Sequence, residues 1–274
     1  MSIPRPVLIA ALAAASAVGA QEPPSVPAPG GLNPVVLKVL SEYPTDGTHK
    51  YYWPKGGAWE GTTRDLDYGG SRIATGDPQK RAYCCGITFE VFFRSFERWC
   101  AETKRPFRIG SLDAGGLTRF RQRWYGIGSG RGLVTDALEA DGIGARVADP
   151  EQARPGDFAQ LWRKSGSGHS VIFLEWVRDA GGARTGISYW SANGGRGISR
   201  ATETFGAPNW VTEVHLGRVG VAPPKPAAPE PQAKAAPPAP RPAPAPLLAA
   251  VPARGPDGVL PLAAWVAPEL ADRR

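Results

Sequence analysis

The apolar residues in the first half of the chain recur at the spacing of an α-helix. The clearest stretch is 84–103, where four aromatic side chains lie three or four positions apart and share one helical face: Phe89, Phe92, Phe96 and Trp99. Three shorter stretches show the same period: 34–42, 112–124 and 133–141. We expect Asn33 and Ser111 to cap the first two of these helices and Gly142 to end the third.

The second half of the chain changes to the pattern of β-strands. Runs rich in β-branched and aromatic residues alternate with Gly, Asp and Asn, which predicts four strands: 158–162, 170–177, 185–190 and 210–216. The stretch 43–80, dense in Gly and aromatic residues, is expected to form loops. Helices followed by strands predict an α+β domain with N-terminal helices packed on an antiparallel β-sheet, and argue against a doubly wound parallel sheet.

Residues 1–20 have the composition of a secretory signal peptide. An apolar run follows Arg5, and Val18-Gly19-Ala20 supplies the small residues that predict cleavage after Ala20. We therefore expect an exported protein, periplasmic or extracellular, with a disordered segment at 21–30. The apolar run is short and flanked by Pro, so no stable membrane span is expected; an uncleaved anchor is the alternative.

The C-terminal part of the chain is dominated by Pro and Ala. Residues 223–246 are crowded with Pro and contain no apolar side chain larger than Ala, so we expect a disordered, polyproline-like linker over 219–258. The last segment, 259–274, carries an apolar patch with Trp265 that is either a docking motif for a protein partner or a disordered end. The folded domain is thus expected at 31–218, which is long enough to bury a sizeable core.

Composition narrows the possible partners and sites. The 274 residues include only three Cys and three His. The net charge of +7 would suit an anionic partner, but a net charge bears on solubility and on the rate of encounter and does not indicate the fold. The basic run at 119–124 is interleaved with aromatic residues but resembles no nucleic-acid module, so we expect no nucleic-acid partner. It is either a solvated helix face or a contact for an anionic substrate.

The chain lacks the sequence motifs of serine hydrolases and of metalloproteases. Neither the G-x-S-x-G of serine hydrolases nor the H-E-x-x-H of metalloproteases occurs in the chain. His49, His169 and His215 lack the spacing of zinc ligands. We therefore expect no metal and no cofactor.

The cysteines carry the strongest indication of chemistry. Cys84 and Cys85 begin the predicted helix, and Cys100 lies about 24 Å further along it at 1.5 Å per residue, too far for a bridge. A bridge between adjacent cysteines is strained, so free thiols are expected at a helix N-terminus, where unpaired N–H groups and the macrodipole favour the thiolate. On a helical wheel Cys85 faces the aromatic stripe and Cys84 lies on its shoulder. We assign Cys84 as the nucleophile and Cys85 to the core, with the reverse assignment as the alternative.

A thiolate nucleophile needs a base and a third group that orients the base. His169 opens an apolar strand after a flexible Ser-Gly-Ser-Gly segment, which predicts an imidazole at a strand edge facing the helix end. Asn193 ends the following strand and can accept the imidazole N–H through its amide oxygen. Ser191 and Glu175 are the alternatives for this orienting role.

Several of these segments resemble motifs of the NlpC/P60 cysteine peptidases. The sequence YCCGIT at 83–88 resembles their D-C-S-G-[LF]-V motif, and Tyr68-Gly69-Gly70 resembles their aromatic-Gly-Gly element. The sequences RPGDF at 154–158 and GHSVI at 168–172 resemble the P-G-D turn and the His-containing strand shared with the related CHAP amidases. The sequence WSAN at 190–193 is similar to a later CHAP segment that ends in Asn.

The resemblance implies a papain-like α+β fold and places functional residues. Cys84 matches the nucleophile, His169 the base and Asn193 the third polar residue, with Tyr68 in a supporting position. Tyr83 and Cys85 stand where the family usually has Asp and Ser, and Leu66 stands where many members have an oxyanion-side Tyr.

The functional hypothesis is a cysteine hydrolase that cleaves an amide bond in peptidoglycan, either within the stem peptide or at its junction with the sugar. Two alternatives stay open. One is a catalytically idle module that binds the cell wall or serves as a scaffold, and the other is an acyltransferase of the same superfamily.

Overall fold

The computed structural model describes residues 27–28, 31–54, 59–126, 131–206 and 210–220. The predicted signal peptide, most of the segment 21–30, the linker beyond residue 220 and the apolar C-terminal tail lie outside the described residues. The described part is an α+β structure with antiparallel sheets, as the order of the sequence patterns predicts.

Four helices form at the positions where helical periodicity predicts them: α1 (Asn33–Leu40), α2 (Cys84–Glu102), α3 (Ala114–Trp124) and α4 (Leu133–Ala140). The aromatic stripe of α2 is the centre of the core. Phe92 stacks on Phe120 of α3 with ring centroids 5.1 Å apart and lies 5.2 Å from Trp124. Phe89, Phe92 and Phe96 are fully buried and Trp99 is half-buried at the edge. Burial of each such ring stabilises the fold by about 1.5–3 kcal/mol, so α2 is held in place along its length.

The main sheet has six strands, and each pair of neighbours is antiparallel. Their order across the sheet is β3-β8-β4-β5-β6-β7. Their bounds are β3 (Gly144–Arg146), β4 (Phe158–Arg163), β5 (Gly168–Arg178), β6 (Arg184–Asn193), β7 (Gly197–Thr204) and β8 (Val211–Val219). Side chains such as Ile172 and Trp190 join the core around α2, whereas Leu161, Phe173 and Tyr189 belong to a second core. Alternate residues of a strand point to opposite faces, which divides these side chains between the two cores.

The structure corrects the extent of the predicted loops. The stretch 43–80 contains a hairpin of β1 (Leu66–Tyr68) and β2 (Ser71–Ala74), joined by Gly69 and Gly70, both with positive φ. A Gly-Gly pair between two short strands is a hairpin signal in its own right. Strands β3 and β7 are also absent from the prediction, and β8 continues to Val219, where the sequence assigns linker.

Two predicted helix caps are wrong. Leu32 precedes α1 at the cap position, and Asn33 is instead buried with its side chain donating to Pro155 O at 3.0 Å and Asp157 Oδ1 at 2.9 Å. Helix α3 starts two residues later than expected, because Asp113 and not Ser111 accepts the hydrogen bond from Gly116 N at 2.6 Å. For Asn33 the error arises because tertiary partners, which the local sequence does not show, bind the side chain. For α3 the cap is local, and Asp113, directly before Ala114, occupies it.

Within the described segments, no helix combines the length and apolarity needed to cross a bilayer.

Candidate active site

The start of α2 is fixed by a backbone segment that lies directly across its first turn. A Cβ atom on Gly86 would be 2.3 Å from Gly61 O and 2.6 Å from Glu60 O, distances that no side chain tolerates. Residue 86 must therefore be glycine for the segment 60–61 to pack against the helix. Tyr83 N donates to Gly61 O at 3.3 Å, which ties the residue before the helix to the same segment.

A buried carboxyl group holds this segment to α2 one turn further on. Glu90 is fully buried and accepts hydrogen bonds from Thr63 N at 2.6 Å, Thr63 Oγ1 at 2.7 Å and Tyr43 Oη at 2.8 Å. Burial raises the pKa of Glu90, and these donors partly offset that effect. No local sequence pattern indicates this contact, because its partners are far apart along the chain.

The helix begins at Cys84 without a side-chain cap. Tyr83, at the cap position, is extended with φ −125° and ψ 168° and makes no side-chain capping bond. The first N–H groups of a helix have no partners within the helix, so this end carries positive potential. Cys84 is 9% exposed and Cys85 6%, and Cys85 belongs to the main core, as the helical wheel predicts. All three cysteines are free.

The base candidate is held in one orientation by Asn193. His169 lies near the start of β5, and its Nε2 is 3.1 Å from Asn193 Oδ1 at the end of β6. Asn193 Nδ2 lies 3.1 Å from Ser191 O and 3.0 Å from Ser199 O. These carbonyl oxygens only accept, so the amide nitrogen must face them and Oδ1 must face the imidazole. Nε2 therefore carries the hydrogen in neutral His169, and Nδ1 is the nitrogen left with a lone pair.

The two adjacent thiols have opposite pKa shifts. The pKa of Cys84 lies well below its ordinary value, because its sulfur accepts hydrogen bonds from the Cys85 thiol, from His169 and from Ser170 N–H, which together outweigh its burial. The charge of His169 acts in the same direction. Burial raises the pKa of Cys85, and the neighbouring Cys84 sulfur raises it further. These opposite shifts favour the thiolate at Cys84 and the protonated thiol at Cys85.

The structure brings together three of the residues selected from the sequence, Cys84, His169 and Asn193, with Cys85 beside them. The other candidates, Ser191, Glu175 and Tyr68, lie elsewhere or have structural roles. Ser191 Oγ donates to Ser170 O at 2.7 Å, which links β6 to β5. Glu175 is exposed further along β5, six residues from His169. These two side chains do not fill the orienting role for which they were alternatives.

Tyr68 is not part of the site. Its Oη donates to Leu112 O at 2.9 Å and accepts from Ile109 N at 3.1 Å, and its ring packs edge-on against Phe107. It therefore anchors the loop before α3. Leu66 is fully buried in the main core and offers no polar atom to a substrate.

A group of residues that sequence reasoning missed lies against His169. The ring of Tyr189 contacts the imidazole edge-on, with centroids 5.5 Å apart and an interplanar angle of 74°. Tyr189 Oη donates to Glu203, which Arg163 holds through two bonds, Nε to Oε2 at 2.6 Å and Nη2 to Oε1 at 2.7 Å. Burial raises the pKa of Glu203, but the Arg163 bonds and the nearby His169 leave it lowered overall. The charges of this carboxylate and of His169 therefore interact.

The arrangement is suited to nucleophilic acyl transfer. A cysteine with a lowered pKa lies at a positive helix end, an imidazole shares a hydrogen bond with its sulfur, and an amide oxygen fixes the imidazole tautomer. Among the residues described, no three or more His, Cys, Asp and Glu side chains form a group able to hold a metal ion.

The lowered pKa of Cys84 predicts alkylation by iodoacetamide at mildly acidic pH. An ordinary thiol, with a pKa of about 8.5, is protonated there and reacts slowly. His169→Ala removes a hydrogen bond and a positive charge from the sulfur, so we expect the rate profile of Cys84 to move to higher pH. Peptide mass spectrometry measures the alkylated fraction of each cysteine, with the buried Cys100 as an internal control. A Cys84 profile that rises only near pH 8.5 in the unmodified chain would contradict the assignment.

Comparison with known proteins gives no family to set beside this geometry. No protein-family model, no curated protein and no solved structure matches the chain at a significant level.

Proposed function

We propose that this protein is an exported cysteine hydrolase with a papain-like NlpC/P60-type domain that cleaves an amide bond in peptidoglycan. The observation that carries the proposal is the chain of contacts from Cys84 through His169 to Asn193 at the start of α2. The motif order supports the superfamily, and the predicted signal peptide supports an exported substrate. The net charge of +7 would favour approach to an anionic wall.

The reaction would proceed through a thioester. The Cys84 thiolate attacks the amide carbonyl carbon, and the C=O electrons move onto oxygen, where the Cys84 backbone N–H at the helix start helps to stabilise the charge. The imidazolium of His169 gives its Nδ1 proton to the amide nitrogen as the C–N bond breaks. His169 then takes a proton from a water molecule that attacks the thioester, and the acid product leaves as Cys84 returns to its thiolate. No cofactor is required.

Asn193 and Glu203 would assist without touching the substrate. Asn193 keeps Nδ1 directed at the sulfur throughout both halves of the reaction, because its own amide nitrogen is held by carbonyl oxygens. Glu203 would stabilise the imidazolium through space, since its carboxylate interacts with the charge of His169.

Digestion of purified peptidoglycan tests the proposal. The purified chain is expected to release fragments with new amine termini, and mass spectrometry identifies the bond that is cut. His169→Ala should lower the initial rate on the order of 10²–10⁴-fold, the usual contribution of general acid–base catalysis.

His215→Ala is the matched control for this experiment. His215 is a partly exposed residue of β8 whose Nε2 lies 3.0 Å from Glu213, so we expect its replacement to leave the rate within about twofold. Absence of new amine termini would favour a non-catalytic wall-binding module. Transfer of the acyl group to an added amine, with no free acid formed, would favour an acyltransferase.

A further inference from the structure

An exposed aromatic surface lies immediately beside the candidate active site. Tyr52 is 41% exposed and Trp53 46%, and apart from Leu37 no other large apolar side chain in the described residues is classed as exposed. A cluster of exposed large rings is informative, because scattered apolar exposure is ordinary whereas contiguous exposure marks binding surfaces. We call Tyr52, Trp53 and Trp59 the aromatic platform.

The platform is continuous with the residue that precedes the nucleophile. The ring of Tyr83 lies 4.5 Å from Trp53 and 5.5 Å from Trp59 between centroids, and Trp59 stacks on Tyr52 at 6.0 Å and 8°. Tyr83 is bonded directly to Cys84. A ligand resting on the platform would therefore extend over the start of α2.

The Tyr52 part of the platform is held in place by its neighbours. Tyr52 N donates to Ala82 O at 2.9 Å and Ala82 N donates to Lys50 O at 3.1 Å, so the segment before α2 fixes the backbone at Tyr52. The Arg81 guanidinium lies 4.2 Å from the Tyr52 centroid, and Asp77 anchors it through bonds of 2.7 and 2.9 Å. Preorganised surfaces of this kind lose little conformational entropy on binding.

We propose that the aromatic platform binds a pyranose ring of an N-acetylated amino sugar in the glycan strand. This inference rests on the proposed function and deepens it. The flat C–H face of such a sugar stacks on Tyr and Trp rings, and its hydroxyl and acetamido oxygens accept hydrogen bonds from a guanidinium such as that of Arg81, which is 27% exposed. A sugar seated beside Cys84 favours cleavage at the junction of stem peptide and sugar over cleavage deeper in the peptide.

Two other occupants fit the platform less well. The first is a protein partner. The surface offered by two exposed rings is far smaller than the roughly 800 Å² that each partner buries in a stable protein interface. The Pro-rich segment 223–246 of this chain carries Lys225, Lys234 and Arg241 against Glu230, so its net positive charge would meet the positive charge of Arg81.

Calorimetric titration with N-acetylglucosamine oligomers tests the inference separately from catalysis. The full chain carrying Cys84→Ala should bind the oligomers, and the additional change Trp53→Ala should weaken binding at least tenfold. Leu37→Ala is the matched control, because Leu37 is 37% exposed on α1 and lies outside the platform. In the chain with Cys84 intact, Trp53→Ala should slow cleavage of peptidoglycan, whereas Leu37→Ala should leave the rate within about twofold.

The outcomes separate the two proposals. Cleavage of peptidoglycan without oligomer binding, or with binding that Trp53→Ala leaves unchanged, would overturn the sugar platform and keep the hydrolase. Oligomer binding that depends on Trp53, in a chain that cuts nothing, would keep the platform and overturn the hydrolase. Binding of a synthetic 223–246 peptide that is lost in Trp53→Ala, with no oligomer binding, would identify the Pro-rich segment as the occupant and overturn the platform's assignment to sugar.

Discussion

Replacing Cys84 with alanine is expected to abolish amide cleavage, whereas replacing Cys85 with alanine should retain most of the chemistry. Loss of the nucleophile removes the covalent route, so initial rates of amine release should fall on the order of 10⁴–10⁶-fold. Cys84 is the sulfur that accepts hydrogen bonds from His169 and Ser170 N–H. Cys85 acts only through Cys84, as the donor that contributes most to its lowered pKa.

Cys85→Ala should therefore change the pH dependence more than the maximal rate. Without the Cys85 thiol, the pKa of Cys84 rises, so the acidic limb of the rate profile moves to higher pH and the rate recovers as pH increases. Cys85→Ser supplies a hydroxyl donor at the same position and should restore the original profile. Cys100→Ala, near the far end of α2, is the control and should leave both rate and profile unchanged. Activity that survives Cys84→Ala and disappears in Cys85→Ala would reverse the two roles.

The parts of this site that sequence reasoning found are those set by local pattern. The aromatic period of α2 places Cys84 and Cys85 at its first turn, and the same period separates the core-facing sulfur from its neighbour. His169 and Asn193 were recognisable because each stands at an end of an apolar strand beside Gly. Consecutive antiparallel strands put such ends at the same edge of a sheet.

The parts that sequence reasoning missed depend on pairings between distant segments. Tyr189, Glu203 and Arg163 meet only because β4, β6 and β7 assemble in one register, and no local pattern encodes that register. Strand β7 was overlooked because it alternates polar and small residues with few large apolar ones. The Gly-Gly pair between β1 and β2 does predict a hairpin, but the surrounding segment is so rich in Gly and aromatic residues that its composition favours a loop.

The P-G-D turn before β4 shows how a motif taken for a family marker can be a structural anchor. Asp157 is fully buried and accepts hydrogen bonds from Arg218 Nε at 2.8 Å, Arg218 Nη2 at 2.7 Å and Arg154 N at 2.8 Å, besides that from Asn33. Gly156, with φ +92°, brings its backbone so close to Asn33 that a Cβ would lie 2.9 Å from Asn33 O. One carboxylate thus joins α1, the turn and β8.

Asp157→Ala should be among the most destabilising single changes in the domain. It leaves the Arg218 guanidinium, only 14% exposed, and the buried Asn33 amide without their shared acceptor. Breaking a buried pair in this way costs about 3–5 kcal/mol, so the urea midpoint of unfolding should fall sharply. Glu151→Ala is the matched control, because the nearby Glu151 is 50% exposed and its pairs with Arg178 and Arg184 should contribute about 1 kcal/mol or less.

Asp157→Ala should also affect the candidate active site, because the turn contacts β5. Phe173 N donates to Asp157 O at 2.8 Å and Gly156 N donates to Phe173 O at 2.9 Å, so the turn is bonded to the strand that carries His169. At a urea concentration where Asp157→Ala is still folded, we expect slower alkylation of Cys84, because a displaced β5 weakens the contact between imidazole and sulfur. An unfolding midpoint equal to that of Glu151→Ala would show that Arg218 and Asn33 find other partners and that the turn does not anchor the fold.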